Sequence, residues 1–242
     1  MNPAVIMTCG LFVLAVASGM LGLGVAFSAV PFLALYLPDL IHQVQPLSLL
    51  LNGITALFAV FGFARSGLVD WRKAIILALV TTASAPLGAY LVRFVPQNYI
   101  WIIYLVSVIY MAYRLFRPVK ERPGEERFRI ALMLAVPISI LSGFLGVGLG
   151  FLLMPTLILV GFNAKKAAGI NAFAVCPPSF SSLIPHIGTA QWDMGLALPM
   201  LVAGAIGSFL GARLTSLYVP SGRLKQIFGV RIIVQDFHAY DF

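Results

Sequence analysis

Two short glycine-rich runs hold the residues of this chain best suited to chemistry. Ser18-Gly19-Met20-Leu21-Gly22-Leu23-Gly24 is answered, 124 residues later, by Ser142-Gly143-Phe144-Leu145-Gly146-Val147-Gly148, with Gly150 close behind. Glycine lets the backbone approach a ligand with no side chain between them. Where a helix breaks at such a run, the N–H groups opening the next helix lack intrahelical partners and carry partial positive charge. Two breaks facing each other form a cradle for a small anion. The candidate donors are Gly22 and Gly24 in one run and Gly146, Gly148 and Gly150 in the other. Glycine also serves close helix packing in membranes. Recurrence at the same place in two over-long apolar stretches favours the broken-helix reading.

Amides and hydroxyls complete such a shell, because they hydrogen-bond an anion without bringing fixed charge into a bilayer. Gly169-Ile170-Asn171 opens one apolar stretch, Pro177-Pro178 interrupts it, and Ser179, Ser181 and Ser182 follow. The corresponding stretch of the first half holds Gln45, Pro46, Ser48 and Asn52. Asn171 is the foremost candidate, with Ser48, Asn52 and Ser179 beside it. The plainer alternative is that these groups bridge helices, at about 0.6 kcal/mol each. Pro31 and Pro155 follow the glycine runs, and with Pro177 and Pro178 they are expected as structural helix breaks.

The missing chemistry narrows the field. All eight acids (Asp39, Asp70, Glu121, Glu125, Glu126, Asp193, Asp236 and Asp241) fall outside the confident apolar stretches. A cation or metal carrier would usually place a carboxylate within the membrane. His42, His186 and His238 form no metal-ligand cluster, and no nucleophile–base pairing has supporting spacing. No enzyme activity, metal or cofactor is expected. Arg93 and Arg213, near stretch ends, read as snorkelling anchors. Trp71, Trp101 and Trp192 read as interfacial aromatics.

The elements that must position these groups follow from composition. Sixty per cent of the 242 residues are hydrophobic and 10% charged, against roughly 45–50% and about 25% in soluble domains. The first Lys or Arg is Arg65, and residues 1–38 and 130–164 carry no charge. Cys9 and Cys176 both lie in apolar runs, which excludes a disulfide scaffold. The fold class is an all-α polytopic membrane protein, since long continuous apolar blocks do not suit a β-barrel. Nothing positive precedes the first apolar run, so a cleaved signal peptide is not expected.

Eight blocks emerge, approximately 4–37, 44–64, 74–94, 98–113, 130–160, 167–185, 194–212 and one from 224. About 20 residues cross a bilayer, whereas 4–37 as one helix would measure about 51 Å. Blocks one and five must therefore break, and both break at the glycine runs. The repeat continues through Phe27/Phe151 and Pro31/Pro155, so that nine of 18 positions in 18–35 and 142–159 are identical. The chain reads as a tandem duplication: a first transmembrane repeat at 1–113, a hydrophilic hinge at 114–129 and a second repeat at 130–242.

Cations gather in cytoplasmic loops, which makes the net charge of +8 a record of topology rather than a nucleic-acid signal. If blocks one and five crossed the membrane, nine cations would face six. If instead each is a re-entrant hairpin turning at its glycines, three transmembrane helices follow in each half and the repeats are inverted. Arg65, Arg72, Lys73, the six cations of 114–129, Lys165, Lys166, Arg213, Arg223 and Lys225 then share one face. Those fourteen oppose Arg93 alone. The expected arrangement puts the N-terminus outside and the hinge 114–129 in the cytoplasm.

The doubled run with its downstream proline, together with Ala167-Ala168-Gly169-Ile170-Asn171, the Gly188–Trp192 turn and Gly207 with Gly211-Ala212, resembles the TauE/SafE sulfite exporter family over roughly residues 5–225. The resemblance implies transport of sulfite, sulfonates and related small sulfur-containing anions across a bacterial-type inner membrane. It agrees with an anion cradle at the breaks, served by alternating access of the two repeats. A membrane anchor or assembly subunit, and a channel or cation carrier, are the alternatives. A homo-oligomer is compatible with the sequence. One feature departs from the family, whose members usually end in a full apolar eighth helix. Here the tail 226–242 carries Arg231 and Asp236, each costing about 2.5–3.5 kcal/mol at a helix centre. That helix is truncated, replaced or completed by another subunit.

Overall fold

A computed structural model describes residues 3–116, 126–191 and 193–220. Nine α-helices make up the described chain: α1 (Pro3–Leu21), α2 (Ala26–Ala34), α3 (Gln45–Ala64), α4 (Trp71–Leu91), α5 (Gln97–Phe116), α6 (Phe128–Leu145), α7 (Gly150–Leu159), α8 (Ala164–Leu183) and α9 (Met194–Tyr218). No strand occurs among the described residues. Six helices there are long and apolar enough to cross a membrane, and α7 is a shorter apolar helix. Most of the hinge lies outside the described residues, although α5 extends to Phe116 and α6 begins at Phe128. Trp192, the block from 224 and the tail with Arg231 and Asp236 also lie outside them.

Local chemistry sets the helix ends. The first glycine run stops α1: Gly22 adopts φ 64°, its N–H donates to Gly19 O, and Leu23 N–H donates to Ser18 O, both at 3.1 Å. This is the left-handed glycine stop. Gly146 ends α6 in the same way, with φ 67° and its N–H on Gly143 O at 3.3 Å. The loop acids serve as caps. Asp39 accepts from Ile41 N and His42 N, Asp70 from Lys73 N and Asp193 from Gly195 N.

The prolines do not break their helices. Pro31 lies inside α2, Pro155 inside α7, and Pro177 and Pro178 inside α8. A helical proline deprives the carbonyl four residues earlier of its donor, and neighbouring helices can resupply that carbonyl. Tyr104 Oη donates to Phe27 O, opposite Pro31, at 3.0 Å. Thr81 Oγ1 lies 3.4 Å from Ala174 O, opposite Pro178. Ser181 Oγ donates to Thr82 O, opposite Pro86 of α4, at 3.0 Å.

Contacts between named residues fix how the helices run. Leu11 and Thr55 both flank Gly204, Gly211 meets Val16 and Met20, and Gly62 meets Ala212. Thus α1, α3 and α9 are parallel. Ser84 bonds Ser139, Gly88 meets Phe144 and Gly169 meets Leu68, so α4, α6 and α8 are parallel to one another. The two trios run oppositely. His42 O accepts from Gln191 N, Asn52 bonds Ser179 and Leu68 lies at Gly169, which makes α3 and α8 antiparallel. Both α1 and α3 therefore start at the same end, with α2 leading back between them. At 1.5 Å per residue the arms of this turn are unequal, about 28 Å for α1 and about 14 Å for α2.

Small residues sit at the crossings. A Cβ on Gly19 would lie 2.2 Å from Ser208 O, and one on Gly143 2.1 Å from Ala85 O. Close backbone approach of this kind holds helices together in lipid. The packing role of glycine and the helix-breaking role are therefore divided within each run.

At one end, the starts of α4 and α8 meet Glu126 in an ion-pair network. Glu126 accepts from Lys73 and from Lys166 at 3.0 Å; Asp70 pairs with Lys73 at 3.2 Å. Burial opposes the charge on both carboxyls, yet hydrogen bonds from Lys73, and from Lys166 on Glu126, hold them below the usual carboxylate range. Arg213 joins the same end by donating to Ser66 Oγ, as does Lys165 by donating to Ser216 O.

Candidate functional site

The two glycine breaks lie against each other in the interior. Gly22 and Gly24 have φ 64° and 70°, and Gly146 and Gly148 have φ 67° and 75°. Left-handed backbone at all four positions requires glycine. The fifth, Gly150, starts α7 in ordinary helical geometry, and its place depends on proximity instead: a Cβ there would lie 2.2 Å from Leu23 O. Immediately after the breaks, the rings of Phe27 and Phe151 stack with centroids 4.0 Å apart and planes 9° apart. These two phenylalanines occupy equivalent places in the two halves.

Of the four foremost polar candidates, Ser48, Asn52 and Asn171 reach these breaks directly and Ser179 through Asn52. Asn52 and Asn171 are each the eighth residue of their helix, α3 and α8, and both are fully buried. Asn52 lies between Gly24 and Gly148, where a Cβ would come within 2.1 Å and 2.4 Å of its amide respectively. Its Oδ1 accepts from Ala26 N at 2.9 Å, and its Nδ2 donates to Ser179 Oγ at 2.8 Å. Ser48 Oγ lies 2.9 Å from Gly146 O. Asn171 Nδ2 donates to Gly22 O at 2.7 Å and lies 3.3 Å from Gly150 O. All nine candidates thus form one buried cluster.

Sequence reasoning passed over two members. Thr55, one turn beyond Asn52, accepts from Val25 N at 3.1 Å. Gln45, from the same stretch as Ser48 and Asn52, is the other. Its Nε2 donates toward Phe144 O and Leu145 O at 3.4 and 3.3 Å, which serves the C-terminal carbonyls of α6. Spacing from Asn52 along one helix face could have flagged Thr55. Nothing in the sequence brings Gln45 to the end of α6.

The cluster contains no carboxylate, lysine or arginine. Among the described residues, no group of three or more His, Cys, Asp or Glu could hold a metal. A cavity of about 290 Å³ opens at the end away from the ion-pair network, lined by Leu37, Gln43, Pro46, Leu47, Gln191 and Asp193 among others. Pro46 in its lining directly precedes the Leu47–Ser48 stretch of α3, and none of the nine candidates lines the cavity. Such a core offers oriented backbone and amide dipoles with no fixed countercharge. It suits a small anion better than a metal ion.

Comparison with known proteins agrees with this chemistry. A family profile described as Sulfite exporter TauE/SafE matches residues 6–235. A probable membrane transporter protein of Xylella fastidiosa is 28% identical over 90% of this chain and 87% of its own. One from Bacillus subtilis is 24% identical over 89% and 91%. An archaeal relative from Methanocaldococcus jannaschii, also described as a probable membrane transporter protein, is 22% identical over 90% of both chains. No solved structure matches the chain.

Proposed function

This chain belongs to the sulfite exporter TauE/SafE family of membrane transporters, and from that premise we propose that it is a secondary transporter for a small sulfur-containing oxyanion, sulfite or an organosulfonate, in the cytoplasmic membrane. One observation carries the reading. Two left-handed glycine breaks from equivalent places in the two halves meet in a buried cluster of amides and hydroxyls with no fixed charge. Discontinuous helices meeting inside inverted repeats are the usual substrate site of secondary transporters.

The antiparallel course of α3 and α8 supports an inverted duplication, and with it alternating access by rocking of the halves. The anion reaches the breaks from the cavity at the Gln43–Gln191 end. The two halves then tilt about the Phe27–Phe151 stack, opening the opposite end as the Lys73–Glu126–Lys166 network parts. The network end, rich in cations, is the cytoplasmic one by the positive-inside rule.

The decisive experiment is flux of labelled sulfite and sulfonates into proteoliposomes, with Asn171→Ala and Gly148→Leu beside the wild type. Wild-type flux above empty vesicles, lost in both variants, is expected. Flux no greater than in empty vesicles for every small anion would overturn the transporter reading. Topology is tested separately by single cysteines at positions 40–43 and at 163. Labelling from opposite sides is expected; a common side would exclude the inverted arrangement.

A further inference from the structure

The two breaks are alike in backbone but not in how their helices are capped. At the start of α2, Val25 N–H is taken by Thr55 Oγ1 and Ala26 N–H by Asn52 Oδ1. Both of those acceptors come from α3. At the start of α7, Ala174 of α8 holds the place of Thr55, each being the eleventh residue of its helix. Asn171 turns its amide nitrogen, not its oxygen, toward α7, lying 3.3 Å from Gly150 O. The N-cap residue Leu149, like Val25 at the first break, makes no side-chain cap bond. First-turn N–H groups have no intrahelical acceptor, so those of Leu149 and Gly150, the counterparts of Val25 and Ala26, are left for another partner.

A second observation stands beside the first. Asn171 is fully buried, and its Oδ1 has no hydrogen-bond partner. Exchanging its oxygen and nitrogen would set Oδ1 against Gly22 O and Gly150 O, acceptor against acceptor, so the amide's orientation is fixed by its neighbours. A buried carbonyl left unpaired beside orphan N–H groups is costly. One ligand satisfies both: negative oxygen toward the N–H groups, and its own donor toward Oδ1.

The geometry points to a one-sided site, in which the start of α7 alone holds the anion and Asn171 Oδ1 accepts a proton-bearing oxygen from it. The preferred substrate is then a monoprotonated oxyanion of the hydrogensulfite kind. A dianion would turn a lone pair on Oδ1, and an alkyl sulfonate offers it no donor. The first break, whose Val25 and Ala26 N–H groups are already taken by Thr55 and Asn52, is scaffold. This inference rests on the transporter reading and narrows its substrate.

The test measures binding to the purified full chain in detergent, from the ligand-induced rise in unfolding temperature, and repeats it as uptake into proteoliposomes. The probes are sulfite at pH values on either side of its second ionisation, and methanesulfonate at the same pH values. Expected is sulfite affinity that falls about tenfold per pH unit above that ionisation, with methanesulfonate weaker by about tenfold or more throughout. Ala174→Ser, which offers α7 the oxygen that Thr55 gives α2, should weaken sulfite binding about tenfold. Asn171→Leu should erase the difference between the two probes. Methanesulfonate bound by the wild type as tightly as hydrogensulfite, or affinity indifferent to pH, would overturn the inference without any variant having to fold. A wild type that binds neither probe at any pH would instead overturn the sulfur-anion reading itself.

Discussion

The first break and the second share a backbone, yet Val25 and Ala26 at the first are capped from within while their counterparts Leu149 and Gly150 at the second are not. In the first, Asn52 and Thr55 meet the N–H groups that open α2; in the second, Ala174 and a reversed Asn171 leave α7 uncapped. The two runs are equivalent frames in sequence, and on the proposed reading a few side chains make one of them rigid and the other receptive. On this reading broken-helix geometry does not by itself make a binding site. What matters is whether the orphan N–H groups have already found partners.

The largest effect should come where the contrast is weakest, at the glycines common to both breaks. Gly24→Ala and Gly148→Ala each force a side chain into left-handed backbone and against the Asn52 amide, and should each cost more than about 2 kcal/mol. Loss of the monodisperse peak in size-exclusion chromatography would register this. Gly67, equally left-handed at φ 66° but facing open space, is the control: its alanine variant should cost only about 1–2 kcal/mol.

Next come the two asparagines. Asn52→Ala strands the buried Ala26 N–H and removes the bond to Ser179, for about 2–3 kcal/mol in thermal unfolding. Asn171→Ala should cost less, because it also removes an oxygen that has no partner. Equal losses would erase the distinction between scaffold and receptor. Thr55→Ala, which makes the first break resemble the second, should cost about 1 kcal/mol.

The smallest effect lies outside both breaks. The carboxyls of Asp70 and Glu126 have folded pKa values below their unfolded ones. Their contribution is therefore fully present above the ordinary carboxylate range and is lost as pH falls through the lowered values. Being partly exposed, the network should be worth under about 1 kcal/mol. An unfolding temperature in Glu126→Gln that still changes with acidification as the wild type's does would discount it.

Much of this was legible in the sequence, for a physical reason. Left-handed backbone tolerates little besides glycine, so the runs at Gly22 and Gly146 announce their own conformation, and their depth inside over-long apolar blocks shows that a helix must stop there. The cluster of Asn52, Asn171, Ser48 and Ser179 was legible too, because buried polar groups in a bilayer need one another. The unlike capping was not. Asn52 and Asn171 are the same letter at the same place in their helices, and only geometry shows which end of each amide meets which backbone. The prolines misled because a carbonyl they free can be taken up elsewhere: the one opposite Pro31 is held by Tyr104, more than seventy positions away.

That last dependence has a historical consequence. Where a proline's freed carbonyl is held by a hydroxyl on another helix, as with Pro31 and Tyr104 or Pro86 and Ser181, the two residues form a single inherited unit. Losing the hydroxyl alone strands a carbonyl, and losing the proline alone leaves two donors contending for one acceptor. Losing both together restores an ordinary helix at little cost. Descendants of this chain should therefore keep or discard such pairs jointly, and a lineage that has kept only one member records a change still awaiting its complement.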